Sequence, residues 1–418
     1  MAAMDHAGLV SLAVHRGLAG DFYNLGCWLR DSRRWAAAAV SLARAVELAP
    51  ADYRALTNFG WNLHLSGRTT EGLEYLGRAI ELAPGESMPY ALRAQLELVL
   101  GDDEAAVADG RRAVELEPGS AINHMAYSFA LLNAGEYGEG WREYEWRFAY
   151  RIPEFLNARP YRLWRGERVG HLYIEGEQGL GDTIFGLRWL SEAAARADRV
   201  TLYVHKELWS LLVEWGNLPG NVSVYPMPRV LPEAEAWVPV MSLPAALEAD
   251  RAEACGAYIW GGWKDRGRFR DIGIVWAGSP SHDQAHHRDC PLVYFLRLAE
   301  IAGVRLHALQ LGTGQEQIGE LGLEGLVADR SPEIGSMLDT ARIMAGLDLV
   351  ISVDTSSAHL AGALGVPCLL LLNQRGRDFR WGVSGEASRW YASHRQFRRG
   401  LGEDWGALMD RVAAELRR

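Results

Sequence analysis

Two stretches of the chain carry side chains whose types and spacing could do chemistry. The first is ISVDTSSAHLAGALG, residues 351–365. It follows an apolar run (Leu347, Leu349, Val350, Ile351) short enough for a buried parallel strand. Asp354 reads as a helix N-cap, with Thr355, Ser356 and Ser357 in the first turn and Gly365 and Pro367 as the stop. Backbone N–H groups, the positive end of the helix dipole and three hydroxyls then converge on one point. That is an anion site into which a diphosphate fits. His359, four residues after Thr355, shares its helix face and can reach the same ligand. Asp354 would repel a phosphate, so its expected role is as a cap and hydrogen-bond organiser. Against all this stands the plain reading, a strand–cap–helix junction of the kind common in α/β proteins.

The second stretch is GEQGLGDTIFGLRWL, residues 176–190, after the strand-like HLYIE. Gly176, Gly179 and Gly181 open a helix on which Ile184, Phe185, Leu187 and Leu190 are helically spaced. The turn fails the dinucleotide fingerprint, because Ile184 stands where the third glycine belongs, and no GK[ST] follows to make a phosphate loop. What remains is a glycine-rich turn that lets a ligand approach the backbone and aims Asp182 at it, with Thr183 alongside. Asp182 is either a simple cap or a general base. A third polar stretch, AGSPSHDQAHHRDCP, contains His282, Asp283, His286 and His287. No helix sets the spacing of these four as a metal site would need, and Arg288 as a phosphate clamp is the better use of the loop.

These residues need elements to hold them. Strands are expected at His171–Glu175, Val200–Val204, Val222–Tyr225, Trp237–Val240, Ile272–Trp276 and Val304–Gln310, with helices at Lys206–Trp215, Leu292–Ile301, Ser336–Ala345 and Trp405–Leu416. The alternation describes two Rossmann-like halves whose carboxyl-end loops enclose a cleft suited to a nucleotide-bearing substrate. Before them the chain repeats every 34 residues. Pro50, Pro84 and Pro118 share one phase, Ala45, Ala79 and Ala113 a second, and Gly26, Gly60 and Ala94 a third. Small residues mark where two helices touch and proline ends the second helix. The period resembles the tetratricopeptide repeat. A degenerate fourth copy runs from Ala121 to Phe148, and the aromatic segment after Trp141 reads as an interdomain hinge core.

A net charge of −10 and a pI near 5.7 argue against nucleic acid or an anionic membrane as the main partner. Only Lys206 and Lys264 are lysines, which leaves phosphate to Arg, His and amides. Cys27, Cys255, Cys290 and Cys368 form no CxxC pair and read as buried thiols in a reducing compartment. With no leader and no apolar run of transmembrane length, the expected location is cytoplasmic.

The ordered set EQGLGDTI, VWAGSPSH, LQLG, SVDTSSAHLAGALGVP, DFRW and the Trp390–Tyr391 pair, after the GWREYEWR junction, resembles the tetratricopeptide-linked glycosyltransferases related to the heptosyltransferases. The resemblance implies a helical repeat domain over 1–150, an acceptor-side Rossmann-like domain over 151–267 and a nucleotide-sugar domain over 268–418, the last two forming a GT-B pair. It implies inverting transfer without a metal or other cofactor, from a nucleotide sugar to an acceptor such as a flagellin-like protein presented by the repeats. Asp182 becomes the general base, and Gly179, Gly181, Thr183, Arg288, Gln310, Asp354, Thr355, Ser356, Ser357 and His359 line the donor site. Two departures stand out. Leu311 follows the LQ where relatives carry Lys, and the loop over 279–290 keeps only Arg288 of an arginine-rich motif.

Overall fold

A 34-residue period with small residues at fixed phases calls for antiparallel helix pairs, and the chain forms them. The computed structural model describes residues 6–151, 159–227, 231–267, 269–279, 288–373, 378–382, 384–400 and 402–417. They fall into two units, Met1–Asn157 and Ala158–Arg418.

The first unit is a tetratricopeptide-type solenoid. Its helices are α1 (His6–Arg16), α2 (Ala19–Asp31), α3 (Trp35–Leu48), α4 (Tyr53–Leu65), α5 (Thr69–Leu82), α6 (Ser87–Leu100), α7 (Asp103–Leu116), α8 (Ala121–Ala134), α9 (Tyr137–Tyr144) and α10 (Arg147–Arg151). Small residues let paired helices meet backbone to backbone: a Cβ on Gly60 would lie 2.7 Å from the carbonyl oxygen of Gly72, across the α4–α5 pair. Ala45, Ala79 and Ala113 are fully buried at their common phase, and so are Leu42 and Leu76 at theirs. The degenerate copy is structured as well. Trp141, Tyr144 and Phe148 are buried in this first unit, Tyr144 meets Phe129 of α8 edge-on, and Trp146 stacks on His124 of the same helix. The aromatic segment therefore packs on α8 at the end of the array.

The second unit holds two parallel sheets. The first has the order β1-β5-β2-β3-β4, from Arg162–Leu163 (β1), Val169–Glu175 (β2), Ala197–Val204 (β3), Val222–Pro226 (β4) and Ala236–Pro239 (β5). The second has the order β11-β10-β9-β6-β7-β8, from Asp271–Val275 (β6), Arg305–Ala308 (β7), Val327–Asp329 (β8), Leu349–Val353 (β9), Cys368–Asn373 (β10) and His394–Arg399 (β11). Every residue of β9 and β10 is buried, as central parallel strands covered on both faces must be. Ile272, Ile274, Leu349, Ile351, Leu369 and Leu371 pack there with Phe397, Trp405 and Leu408.

Helices Lys206–Trp215 and Trp405–Leu416 match the expected bounds, and Met337–Gly346 is displaced by one residue. The segment expected as one helix from Leu292 is a 3-10 turn, Leu292–Phe295, followed by a short helix, Leu296–Ala299. The strand expected to reach Gln310 stops at Ala308. Strands β1, β8, β10 and β11 were not anticipated. Contacts join both sheets in one unit: helix Leu180–Gly186 packs on helix Ser356–Leu364, and Lys206–Trp215 on Met337–Gly346.

Candidate active-site cleft

The site is built where two helix starts from the two sheets touch. After β2 the chain turns through Gln178, which adopts a left-handed φ of 57°, into Gly179, the N-cap of the Leu180–Gly186 helix. Asp182 sits at the third helical position, and its Oδ2 accepts the Gly179 N–H at 2.9 Å. This back-bond satisfies an orphan amide and fixes the carboxylate on the helix rim. Thr183 is fully buried, with its hydroxyl 3.4 Å from the Glu177 carbonyl oxygen. It braces the turn from beneath and does not face the cleft.

On the other side, β9 runs two residues further than its apolar pattern suggested, and this moves the cap. Thr355, with φ −145° and ψ 172°, is the N-cap of the Ser356–Leu364 helix, where Asp354 had been expected. The hydroxyls of Thr355 and Ser352 lie 3.2 Å apart. Ser356 and Ser357 form the first turn, half-exposed, and their hydroxyls have no partner among the described residues. Asp354, left in the link, is buried and pairs with Arg288 at 3.0 Å. The Nε of Arg288 is buried without a partner among the described residues.

Gly181 brings the halves together. A Cβ there would lie 2.8 Å from His359 Cδ2 and 3.5 Å from Ser356 Cα. Its smallness therefore serves packing between the two helix starts as well as any approach by a ligand. His359 is buried, its Nδ1 lies 2.8 Å from the Tyr391 hydroxyl, and its ring stacks on Trp381 with centroids 4.8 Å apart. Burial pushes the imidazole well below its usual range, helped by the charges of Arg380 and Arg188, so the ring is neutral.

Sequence reasoning gave no role to Arg380, yet it completes the cleft. It leaves the segment after β10 and donates to Asp182 Oδ1, and its other arm meets Asp378 Oδ2 at 2.5 Å. The Arg380 backbone N–H binds Asp378 Oδ1 at 2.9 Å, and the guanidinium lies 5.2 Å from the Phe185 ring centroid. Burial holds the Asp378 carboxyl above its usual range, with Asp354 and Asp182 adding to the effect and Arg380 opposing it. Three carboxylates and two guanidiniums thus form two sets, Asp354–Arg288 and Asp182–Arg380–Asp378, and each arginine already has an acidic partner.

Gln310 proves to be an organiser. Its Oε1 accepts from the Trp276 and Ala277 amides, each at 3.0 Å, while Nε2 donates to the carbonyls of Ala277, Leu311 and Thr313. The carboxamide ties the loop after β6 to the loop after β7 and has little capacity left for a ligand. Leu311 is half-exposed beside it. Past the ends of β7 and β8 an open cavity of about 550 Å³ is lined by Gln315, Glu316, Glu324 and Asp329 among others. His282, Asp283, His286 and His287 lie outside the described residues. Among the described residues no group of three or more His, Cys, Asp or Glu side chains could hold a metal ion. No helix among them is long and apolar enough to cross a membrane.

No family model matches the chain. It is 27% identical over 449 residues to Protein FlbA of Caulobacter vibrioides, an alignment covering 94% of this chain and 72% of FlbA. It is also 30% identical over 114 residues to the BBSome complex member BBS4 of Xenopus tropicalis, covering 27% of this chain and 22% of that one. Among solved structures, a MamA crystal structure (18% identity, TM-score 0.29) covers 34% of the chain and 76% of MamA. YrrB, described as a TPR protein with an unusual peptide-binding site (16% identity, TM-score 0.30), covers 38% of the chain and 79% of YrrB. These scores are low, and the repeat assignment rests on the helix pairs themselves.

Proposed function

We propose that the second unit is an inverting glycosyltransferase of the GT-B type that moves a sugar from a nucleotide donor to an acceptor hydroxyl without a metal. The observation that carries this reading is the convergence of Asp182 and the Ser356–Leu364 helix start on one cleft, joined by Arg380 and by the Gly181–His359 contact. Asp182 takes the acceptor's hydroxyl proton as the oxygen attacks the anomeric carbon. Each carboxylate oxygen keeps a second lone pair, so the acceptor can bind while the Gly179 and Arg380 contacts persist. The bond from the anomeric carbon to the diphosphate breaks with its electrons passing to the leaving group. The amides and hydroxyls of Ser356 and Ser357, the Thr355 hydroxyl, Arg288 and Arg380 hold that charge. The cavity beside Gln315 and Asp329, rich in acceptors, suits the hydroxyl-bearing part of the donor. The repeats present a protein acceptor, for which a flagellin-like surface protein is one candidate.

The test is an assay of nucleotide sugars with and without candidate acceptors. Wild type should release nucleoside diphosphate, slowly by hydrolysis and faster by transfer, while Asp182→Asn should bind the donor and release it at least about a hundredfold more slowly. A fully active Asp182→Asn would remove the base from this account.

A second reading is favoured by the pairing already present in the cleft. Asp182, Asp354 and Asp378 neutralise both arginines, Gln310 is spent on the scaffold, and Leu311 supplies no cation. On that reading the transferase half is a degenerate binding or sensing module attached to a repeat scaffold. Neither binding nor turnover with any nucleotide sugar of the panel would favour it.

A further inference from the structure

Behind His359 lies a buried group of polar atoms that the transfer reaction does not use. Tyr391 is fully buried and seated by its close approach to the helix: a Cβ on Gly362 would lie 2.2 Å from the Tyr391 ring. Its hydroxyl faces His359 Nδ1 at 2.8 Å. Tyr258 lies in the same pocket, and its own hydroxyl proton is spent on the Ile184 carbonyl at 2.8 Å, since a carbonyl can only accept. Arg188 points in from the helix layer of the first sheet and donates to the Phe185 carbonyl at 3.0 Å and the Trp390 carbonyl at 2.9 Å. Its guanidinium lies 4.6 Å from the Tyr391 ring centroid and 5.5 Å from that of Tyr258. Among the described residues no carboxylate pairs with it. The Tyr391 proton can therefore go to an imidazole nitrogen or to the Tyr258 oxygen, and the imidazole is the stronger acceptor. Burial pushes the Tyr391 hydroxyl above its usual range and the Arg188 charge opposes that shift, so the group keeps its proton and can donate it.

We propose that Tyr391 is a positioning residue: by donating to Nδ1 it fixes His359 in the Nε2–H tautomer, so that His359 serves as a neutral hydrogen-bond donor to a phosphate at the start of the Ser356–Leu364 helix. The edge of the ring that carries Nε2 is the edge lying against Gly181, beside Ser356. The donor role rests on the diphosphate reading above, while the tautomer does not. A ring held in this way contributes a directed N–H without a charge that would have to be desolvated. The titratable and charged groups around it are Tyr391, His394, Arg188, Arg288 and Arg380, and all the cations among them oppose protonation of the ring.

The experiment is long-range ¹H–¹⁵N correlation on the full chain carrying ¹⁵N-histidine, between pH 5.5 and 8. The His359 signals are assigned by their loss in His359→Gln and their displacement in Tyr391→Phe. The expected wild-type result is a pyridine-type Nδ1 and a pyrrole-type Nε2, unchanged across the range. An Nδ1–H tautomer or an imidazolium in the wild type overturns the proposal. In the second arm UDP, GDP, ADP, CDP and CMP are added to both proteins. Tyr391→Phe should mix the tautomers and weaken nucleoside diphosphate binding about tenfold. Equal affinity for wild type and Tyr391→Phe overturns the donor role alone. Absence of binding to wild type overturns the diphosphate reading and the donor role together, and the tautomer result then stands or falls by its own signal.

Discussion

On the proposed reading Asp182 is the base, and its two oxygens show how it is held. One closes the helix start onto Gly179, the other meets Arg380 from the opposite sheet. Asp182→Asn preserves the shape, and its amide oxygen can keep the Gly179 bond while the Arg380 ion pair is given up, so the protein should still fold and bind the donor. Turnover should fall by about 10²- to 10⁴-fold, the usual worth of a positioned base. Arg380→Gln should act differently. Losing a charge-assisted contact of about 1.5–3 kcal/mol weakens nucleoside diphosphate binding by about 10- to 100-fold, readable by calorimetry against the same panel. If Arg380→Gln instead tightens binding, Arg380 serves the carboxylates and not the ligand. These two side chains also mark what was legible and what was not. Asp182 announced itself by following a glycine turn at a helix start. Arg380 lies 198 positions away in the chain, and only tertiary contact pairs it with Asp182. Gln310 was visible as a motif residue, but nothing local revealed that five backbone groups would saturate it.

At the scale of elements, the helix pair Leu180–Gly186 and Ser356–Leu364 makes the cleft, and Gly181 makes the pair possible. Gly181→Ala must push a methyl group against His359, so the second unit should lose about 1–3 kcal/mol and the two helix starts should separate. Thermal unfolding of the full chain, followed with hydrogen exchange over both helices, reads this. Unchanged protection there would mean that the contact is slack. In the solenoid, one position breaks the repeat. Leu29, Leu63 and Leu131 are buried at one phase, and the residue at that phase between Leu63 and Leu131 is Glu97, itself buried beside Arg93 and Asp109. Burial, then the Asp109 charge, pushes the Glu97 carboxyl up to about 7. A raised folded-state value favours the protonated form, so the stabilisation is present below the unfolded value of about 4.3 and is lost as pH rises through about 7. Exchange protection in α6 and α7 should therefore fall between pH 5 and 8, by on the order of 1–3 kcal/mol. Glu97→Leu should abolish that dependence. The sequence pattern located most central elements because continuous apolar runs and caps are local signals. It passed over β10, although CLLLLN after a helix stop is such a run, and it missed β11 because the charged HRQFRR shows neither a run nor alternation. The cap is Thr355 because β9 runs on to Val353, and Asp354 instead pairs with Arg288, 66 positions earlier.

At the scale of the whole chain there are two units with separate cores, and the proposed reading gives each its own task. A chain starting at Ala158 keeps both sheets and every cleft residue, so it should bind nucleoside diphosphates within about twofold of the full protein. It should fail to modify a protein acceptor if the repeats present one, and undiminished transfer to that acceptor would assign the repeats another task. The acidic balance agrees with ligands held by a few arginines and amides in a confined cleft, since a broad basic surface is absent from the composition.

The most direct measurement of the central claim is calorimetric titration of nucleoside diphosphates and their sugar conjugates into wild type and Asp182→Asn, with release of free nucleoside diphosphate followed in the same samples. The account predicts binding to both proteins, and release from a sugar conjugate at least about a hundredfold more slowly by Asp182→Asn than by wild type. Binding by neither protein, or equal release by both, would contradict it.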